Sequence, residues 1–160
     1  MIVTNAVRSK RLLALLQRAG ELAILREGLN PERIEASLKF VSEGKIQALN
    51  KQYRGVDAVT DVLSFPFYER RDVIDFVTNA VWNSPTGAAG YRALLGDIVI
   101  CTEAAERQAD EIGQSLDREL AYLFIHGMFH LLGYSHKSAE DKAKMREAEE
   151  EVLSGLGEIK

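Results

Sequence analysis

Two rhythms of apolar and polar positions run along this chain, one of period two and one of period 3.6. They divide it into strands and helices. Residues 2–7 are short and β-branched and predict a strand. From Ser9 the spacing turns helical. Ser9 is placed to cap, and Leu12, Leu15, Leu16, Ala19, Leu22 and Ala23 form one apolar stripe. Gly20 weakens this helix without ending it, and Gly28 and Pro31 mark its stop. Residues 34–41 alternate, with Ile34, Ala36, Leu38 and Phe40 on one side and Glu35, Ser37 and Lys39 on the other, as in a half-buried strand. Ser42 then caps a helix to about Tyr53 with Ile46, Leu49 and Tyr53 as its inner face, and Gly55 ends it.

Residues 59–66 are strand-like at their centre and closed by Pro66. The rhythm breaks over residues 68–94, where Asn83, Ser84, Pro85, Gly87 and Gly90 supply turn chemistry, and the segment predicts an inserted surface loop or hairpin. Residues 95–101 are strongly apolar and predict a central strand. Thr102, followed by Glu103 and Glu106, opens a helix to about Ile112 that Gly113 stops. Ser115 caps the next helix, and Ser138 with Asp141 opens a last one to about Ser154. The chain shows no internal repeat, linker or low-complexity tract. The pattern predicts an α/β (α+β-like) fold, residues 1–160 forming a single domain with a small mixed sheet of about four strands and about five helices.

All three histidines of the chain fall in the stretch AYLFIHGMFHLLGYSH, residues 121–136. His126 and His130 are four apart and share one helix face. Gly133 is the kind of residue that ends a helix in a left-handed conformation, so the chain can return and bring His136 to the other two. Three converging imidazoles make a first-row metal site, most plausibly zinc, one per chain, with the fourth position of a catalytic zinc left for water. A structural zinc would want four closed ligands, usually rich in cysteine.

Composition sets outer limits. A chain of 160 residues with 46% hydrophobic and 28% charged residues fits one soluble globular domain. Cys101 is the single cysteine, which excludes a disulfide framework and fits a reducing cytoplasm. The N-terminal apolar run is broken by Gln17 and Arg18 and does not read as a signal peptide, and no run approaches the length of a membrane span. The net charge of −4 is unevenly shared: residues 1–54 carry +5 and residues 55–160 carry −9. A basic first third can still hold a phosphate backbone.

The spacing His126-x3-His130-x2-Gly133-x2-His136 matches the ligand positions of the long zinc signature H-E-x-x-H-x-x-G-x-x-H. The glutamate that serves peptidases as general base is replaced by Gly127, which argues against a zinc peptidase. Phosphodiester hydrolysis would want a cation beside the metal, and Arg54 is the candidate; from spacing alone it is better read as a solvated helix-end arginine. Glu119, two turns before His126, is placed to hydrogen-bond a ligand imidazole or a water, though a first-turn acid favoured by the helix dipole is the plainer reading. Asp61, Ser64 and Asp97 are polar residues at strand positions, where ordinary strand-end hydrogen bonding explains them.

The segment HGMFHLLGYSH resembles the H-G-x-L-H-L-x-G-Y-D-H signature of the YbeY family, single-strand-specific metallo-endoribonucleases of ribosomal RNA maturation. Residues 49–67, LNKQYRGVDAVTDVLSFPF, resemble that family's L-N-x-x-Y-R-x-x-x-x-x-T-D-V-L-S-F-P segment, and LLGDIVIC, residues 94–101, resembles its L-G-D-I-x-I strand. The three motifs occur in the same order. The resemblance implies zinc ligands at His126, His130 and His136 and the functional arginine at Arg54, reversing the helix-end reading of that residue. It implies a cytoplasmic zinc-dependent endoribonuclease that acts on single-stranded RNA, in 16S rRNA 3′-end maturation and late-stage ribosome quality control with the small subunit as partner, and no membrane. The attacking group, water activated at the metal or the RNA 2′-OH, stays open, and so does a metal-binding ribosome-assembly factor without catalysis. Ser135 stands where the family has aspartate, Phe129 replaces leucine, and residues 68–94 look longer than the family's usual connection.

Overall fold

The computed structural model describes residues 2–4, 9–69 and 92–159. Residues 70–91, most of the segment read as an inserted loop or hairpin, lie outside the described residues, as do residues 5–7 of the first predicted strand. Among the described residues, four strands and five α-helices follow in the order β1 (Ile2–Thr4), α1 (Lys10–Arg26), β2 (Ile34–Val41), α2 (Glu43–Arg54), β3 (Val62–Pro66), β4 (Ala93–Cys101), α3 (Thr102–Ile112), α4 (Leu116–Leu131) and α5 (Ala139–Gly155), with a 3-10 turn at Pro31–Arg33. The caps are those the sequence implies. Ser9, Ser115 and Ser138 accept from the backbone N–H groups of Leu12, Arg118 and Asp141 and so satisfy donors that a helix start leaves open. Ser42 holds the N-cap position of α2 without a side-chain cap bond.

The sheet order is β1-β2-β4-β3. β1 and β2 are parallel, β2 and β4 are parallel, and β3 runs antiparallel on the outer edge of β4, where Pro66 costs no interior ladder bond. The register between β2 and β4 shifts between Glu35 and Ser37, and Leu95 and Gly96 lie in the matching interval of β4. Gly96 sits there at φ 150°, and a Cβ on it would lie 2.2 Å from the carbonyl oxygen of Phe65. Only glycine lets β3 close on the sheet at this irregularity.

Side chains of β4 alternate between two apolar clusters. Leu95, Ile98 and Ile100 face α1, α4 and α5 and join Leu16, Ala19, Phe124, Ile125, Met128, Phe129 and Val152. Val99 and Cys101 face the other way, against Ile46 of α2, Leu63 of β3 and Ala104 of α3. Tyr53, expected on the inner face of α2, is 61% exposed. Ile46, half-buried Leu49 and buried Asn50 form the covered part of the helix, and Tyr53 meets Phe65 edge-on with ring centroids 5.1 Å apart. Leu94, assigned to the insertion from sequence, belongs to β4.

The helix that carries His126 and His130 is α4, buried along most of its length. Its approach to the sheet is set at Gly127, where a Cβ would come within 2.8 Å of Ile98 Cγ2 and 3.0 Å of Ile98 Cδ1. Position 127 therefore faces β4, about 100° around the helix from His126. The missing peptidase glutamate has a packing explanation, because a side chain at this position would enter the core and miss the histidines.

Gly127→Ala is expected to lower stability by about 1–3 kcal/mol through overpacking, read as a shift in the urea midpoint. In the double variant with Ile98→Ala the two losses should fall short of additive by about 1 kcal/mol or more, since the smaller residue vacates the space the new methyl needs. Strict additivity would remove the contact as the constraint.

Candidate metal centre

α4 displays His126 and His130 on the side away from the sheet, one turn apart. The chain leaves the helix through Leu132 and Gly133, and the return brings His136 over the same spot. One ligand atom from each of the three histidines lies within 4.8 Å of the others, and among the described residues this is the group of three able to hold a metal ion. His126 and His130 are half-buried and His136 is exposed.

Hydrogen bonds decide which nitrogens face inward. Nδ1 of His126 lies 2.8 Å from Oε1 of Glu149, a residue of α5 that is 6% exposed. Nδ1 of His130 lies 3.1 Å from the carbonyl oxygen of Tyr134. A carbonyl and a carboxylate oxygen accept, so both Nδ1 atoms donate and both Nε2 atoms are left as bare lone pairs. Those Nε2 atoms face one another at 3.1 Å. Two acceptors that close repel unless a cation or a proton lies between them. The spacing is close to the edge of a tetrahedron built on zinc–nitrogen bonds of about 2.0–2.1 Å. Imidazoles whose second nitrogen is engaged by a carboxylate or a carbonyl are the usual donor set of a catalytic metal, and the residues present fit one.

Electrostatics favour the neutral form at His130 and His136. Burial, reinforced by the neighbouring His126, pushes the pKa of His130 down to about 4. His136 is lowered too, first by desolvation, then by His126, Lys142 and Arg54. Arg54 is thus close enough for its charge to act on His136. It is the last residue of α2, exposed, and takes no ion-pair partner among the described residues. The arginine picked out by resemblance thus acts electrostatically on His136, one of the three histidines.

Glu119 does not join them. It is 4% exposed and accepts from the side-chain amide of Gln114; burial holds its carboxyl above the usual range. Glu149 takes the place on the His126 imidazole that sequence reasoning offered to Glu119. The signal for Glu149 was its spacing. Met145, Ala148, Glu149 and Val152 form the buried stripe of α5, so an acid occupies a core position and calls for a partner. Asp61 anchors the start of β3, accepting from Val62 N at 2.7 Å and from Gln108 Nε2 at 2.9 Å. Ser64 and Asp97 sit in the β3–β4 ladder opposite Ile98 and Phe65.

A second set of residues holds the loop that carries His136. The Tyr134 hydroxyl donates to Glu27 Oε1 at 2.8 Å and accepts from Arg26 Nη1 at 2.9 Å, and Arg26 Nε donates to Glu151 Oε2 at 2.5 Å. The Tyr134 ring meets the edge of buried Phe129 at 5.1 Å, and the Arg26 guanidinium lies 6.0 Å from that ring. The phenylalanine that replaces the family leucine is therefore a packing residue. Ser135, in place of the family aspartate, donates to Asp141 Oδ2 at 3.2 Å and ties the loop to the first turn of α5.

A family model described as Endoribonuclease YbeY matches residues 3–157. The Endoribonuclease YbeY of Pelotomaculum thermopropionicum is 47% identical over 145 residues, 91% of this chain and 86% of that protein. The protein of the same name from Heliobacterium modesticaldum is 41% identical over 156 residues, 97% of this chain and 90% of that one. Among solved structures, the solution structure of TM1509 from Thermotoga maritima superposes with a TM-score of 0.62 at 27% identity, covering 98% of this chain and 89% of that one. With matches of this extent, the chain belongs to the YbeY endoribonuclease family.

Proposed function

We propose that this endoribonuclease holds one zinc ion on His126, His130 and His136 and cleaves single-stranded RNA beside it. The observation that carries the reading is the pair of bare Nε2 atoms 3.1 Å apart, an arrangement a cation relieves. When bound, zinc supplies Lewis acidity and lowers the pKa of water toward about 7. Glu149 and the Tyr134 carbonyl orient two of the imidazoles and place the N–H of the neutral ring on Nδ1, which leaves Nε2 as the inward donor atom. Arg54 offers its guanidinium to the scissile phosphate and balances the charge that grows on it in the transition state. The natural substrate on this reading is the 3′ end of 16S rRNA on the small ribosomal subunit, with a role in late ribosome quality control. Residues 1–160 act as one metal-dependent hydrolase domain, and the working compartment is the cytoplasm. Among the described residues no helix is long and apolar enough to cross a membrane.

The chain has glycine where a peptidase has its base, and the packing of Gly127 on Ile98 directs that position at the core, which speaks against the zinc peptidase alternative. A metal-binding assembly factor without catalysis is separated from the nuclease reading by activity.

Metal analysis is expected to find about one zinc per chain, lost in His130→Ala and kept in Arg54→Glu. Cleavage of single-stranded RNA should disappear in both variants and on chelation. Zinc bound as expected with no cleavage by the unaltered protein, or with cleavage unchanged in both variants, would leave a metal site that does not serve RNA hydrolysis.

Glu149→Gln keeps the shape of the carboxylate and removes its charge. Metal affinity, measured in competition with a chromophoric chelator, should fall about 10- to 100-fold. An affinity within twofold of the unaltered protein would show that Glu149 does not support His126.

A further inference from the structure

Ser64 stands where the free edge of the sheet meets the open side of α4. It pairs across the ladder with Ile98, the residue on which Gly127 rests. Paired side chains share one face of a sheet. The Ser64 side chain therefore points to the α4 side, as does that of Val62, which packs on the same cluster as Ile98. β3 is the outermost strand, so Ser64 lies one strand outward of Ile98. The outward flank of α4 is the histidine flank. Met128 marks the other flank, where it lines a cavity with Gln17 and Gly20 of α1 and Ala36 of β2. Glu119 and Tyr122, seven and four residues before His126 on its helix face, line a different cavity with Asp61, the residue just ahead of β3. At the far end of the strand, the Phe65 carbonyl and Leu131 of α4 both crowd Gly96. β3 and α4 thus run side by side in the same direction, with Ser64 level with His126 and Gly127.

Ser64 keeps two hydrogen-bond donors unused. The Asp61 carbonyl accepts from Cys101 N–H, and Phe67 N–H donates to the Leu95 carbonyl. In an antiparallel pair this alternation turns the backbone groups of Val62, Ser64 and Pro66 to the free edge. Val62 N–H donates to Asp61 Oδ1 at 2.7 Å, and proline has no N–H. That leaves the N–H of Ser64 as the open donor of this edge among the described residues. The hydroxyl of half-buried Ser64 makes no hydrogen bond among them either, and it is not enclosed. An edge with one donor is a poor template for a further strand. A serine N–H and hydroxyl together suit an anionic oxygen that lies outward of the edge and toward α4. The acids nearby are occupied. Asp61 accepts from Val62, Thr60 and Gln108, and Glu149 is engaged with His126.

Resting on the nuclease reading above, we propose that Ser64 touches the substrate: its hydroxyl and backbone N–H donate to a non-bridging oxygen of the phosphodiester held at the three histidines. Arg54 supplies charge to the same group, and Ser64 supplies direction from a rigid strand. Negative charge on such an oxygen grows as the phosphorus is attacked, so fixed donors stabilise the transition state more than the bound substrate. Every nucleotide carries the same phosphate, and the contact gives no preference among bases.

The test compares Ser64→Ala and Ser64→Thr with the unaltered zinc-loaded protein on single-stranded oligo(A), oligo(C) and oligo(U). Ser64→Ala should lower kcat/KM about 10- to 100-fold, the size of one lost hydrogen bond to a charged group, and by the same factor on all three. Ser64→Thr keeps the hydroxyl and should recover most of the loss. Calorimetric titration of inorganic phosphate into the zinc-loaded protein reads the same donor without turnover. The Kd should rise about tenfold in Ser64→Ala and stay within about twofold in Ser64→Thr. Zinc content and the thermal unfolding midpoint should not move, because the deleted hydroxyl has no partner in the fold. An unchanged kcat/KM or phosphate affinity in Ser64→Ala, an equal loss in Ser64→Thr, or a loss that depends on the base would overturn the proposal and leave the nuclease reading standing. If the unaltered zinc-loaded protein cuts none of the oligomers, the nuclease reading has failed and the proposal falls with it.

Discussion

The contact of Gly127 with Ile98 governs the rest of the molecule. It lets the backbone of α4 settle directly on the Ile98 side chain of β4, and the rotation of the helix is then fixed by what must be buried. Phe124, Ile125, Met128 and Phe129 turn to the core and leave the direction of His126 and His130 to the open side. Because close-packed interiors do not deform continuously, the two imidazoles inherit the rigidity of the sheet. A bulkier residue at 127 would lift or roll the helix, and the nitrogens would move with it. Sheet geometry and site geometry are one constraint read at its two ends.

Orientation within the site is shared among elements distant in sequence. α5 presents Glu149 to His126, the return loop presents the Tyr134 carbonyl to His130, and the C-terminal end of α1 holds Tyr134 through Arg26 and Glu27. The bonds at Glu149 and those among Arg26, Glu27 and Tyr134 involve charged side chains and are stronger than neutral ones, while the bond from His130 to the Tyr134 carbonyl joins neutral groups. Burial does the complementary work of favouring the neutral form at His130 and His136, most clearly at His130. Neutrality, orientation and convergence thus have separate physical causes in this cluster.

Local chemistry was legible from the chain, and long-range chemistry was not. The i, i+4 histidines, the turn at Gly133 and the serine caps all follow from neighbours a few residues apart, and each appears where its spacing put it. The period-two pattern of Ile34–Val41 found its strand to the residue, because alternation has a single solution once one face is buried. The order of strands and the reversed direction of β3 left no mark on any one segment. Arg54 looked ordinary from spacing, and motif resemblance singled it out. Glu119 was a natural guess because it shares a helix face with His126, but its burial beside Gln114 draws it off. Glu149 was missed because a buried acid declares that it needs a partner without naming one. Tyr53 was misjudged because a helix stripe does not reveal where the sheet beneath it ends.

The three imidazoles differ in freedom. Two ride on a buried helix with their outer nitrogens engaged, while the third, His136, is exposed on a loop tied down through Tyr134 and Ser135. The geometry of the cluster therefore has two independent supports: the packing of α4 on the sheet places His126 and His130, and hydrogen bonds to α1 and α5 place the loop of His136.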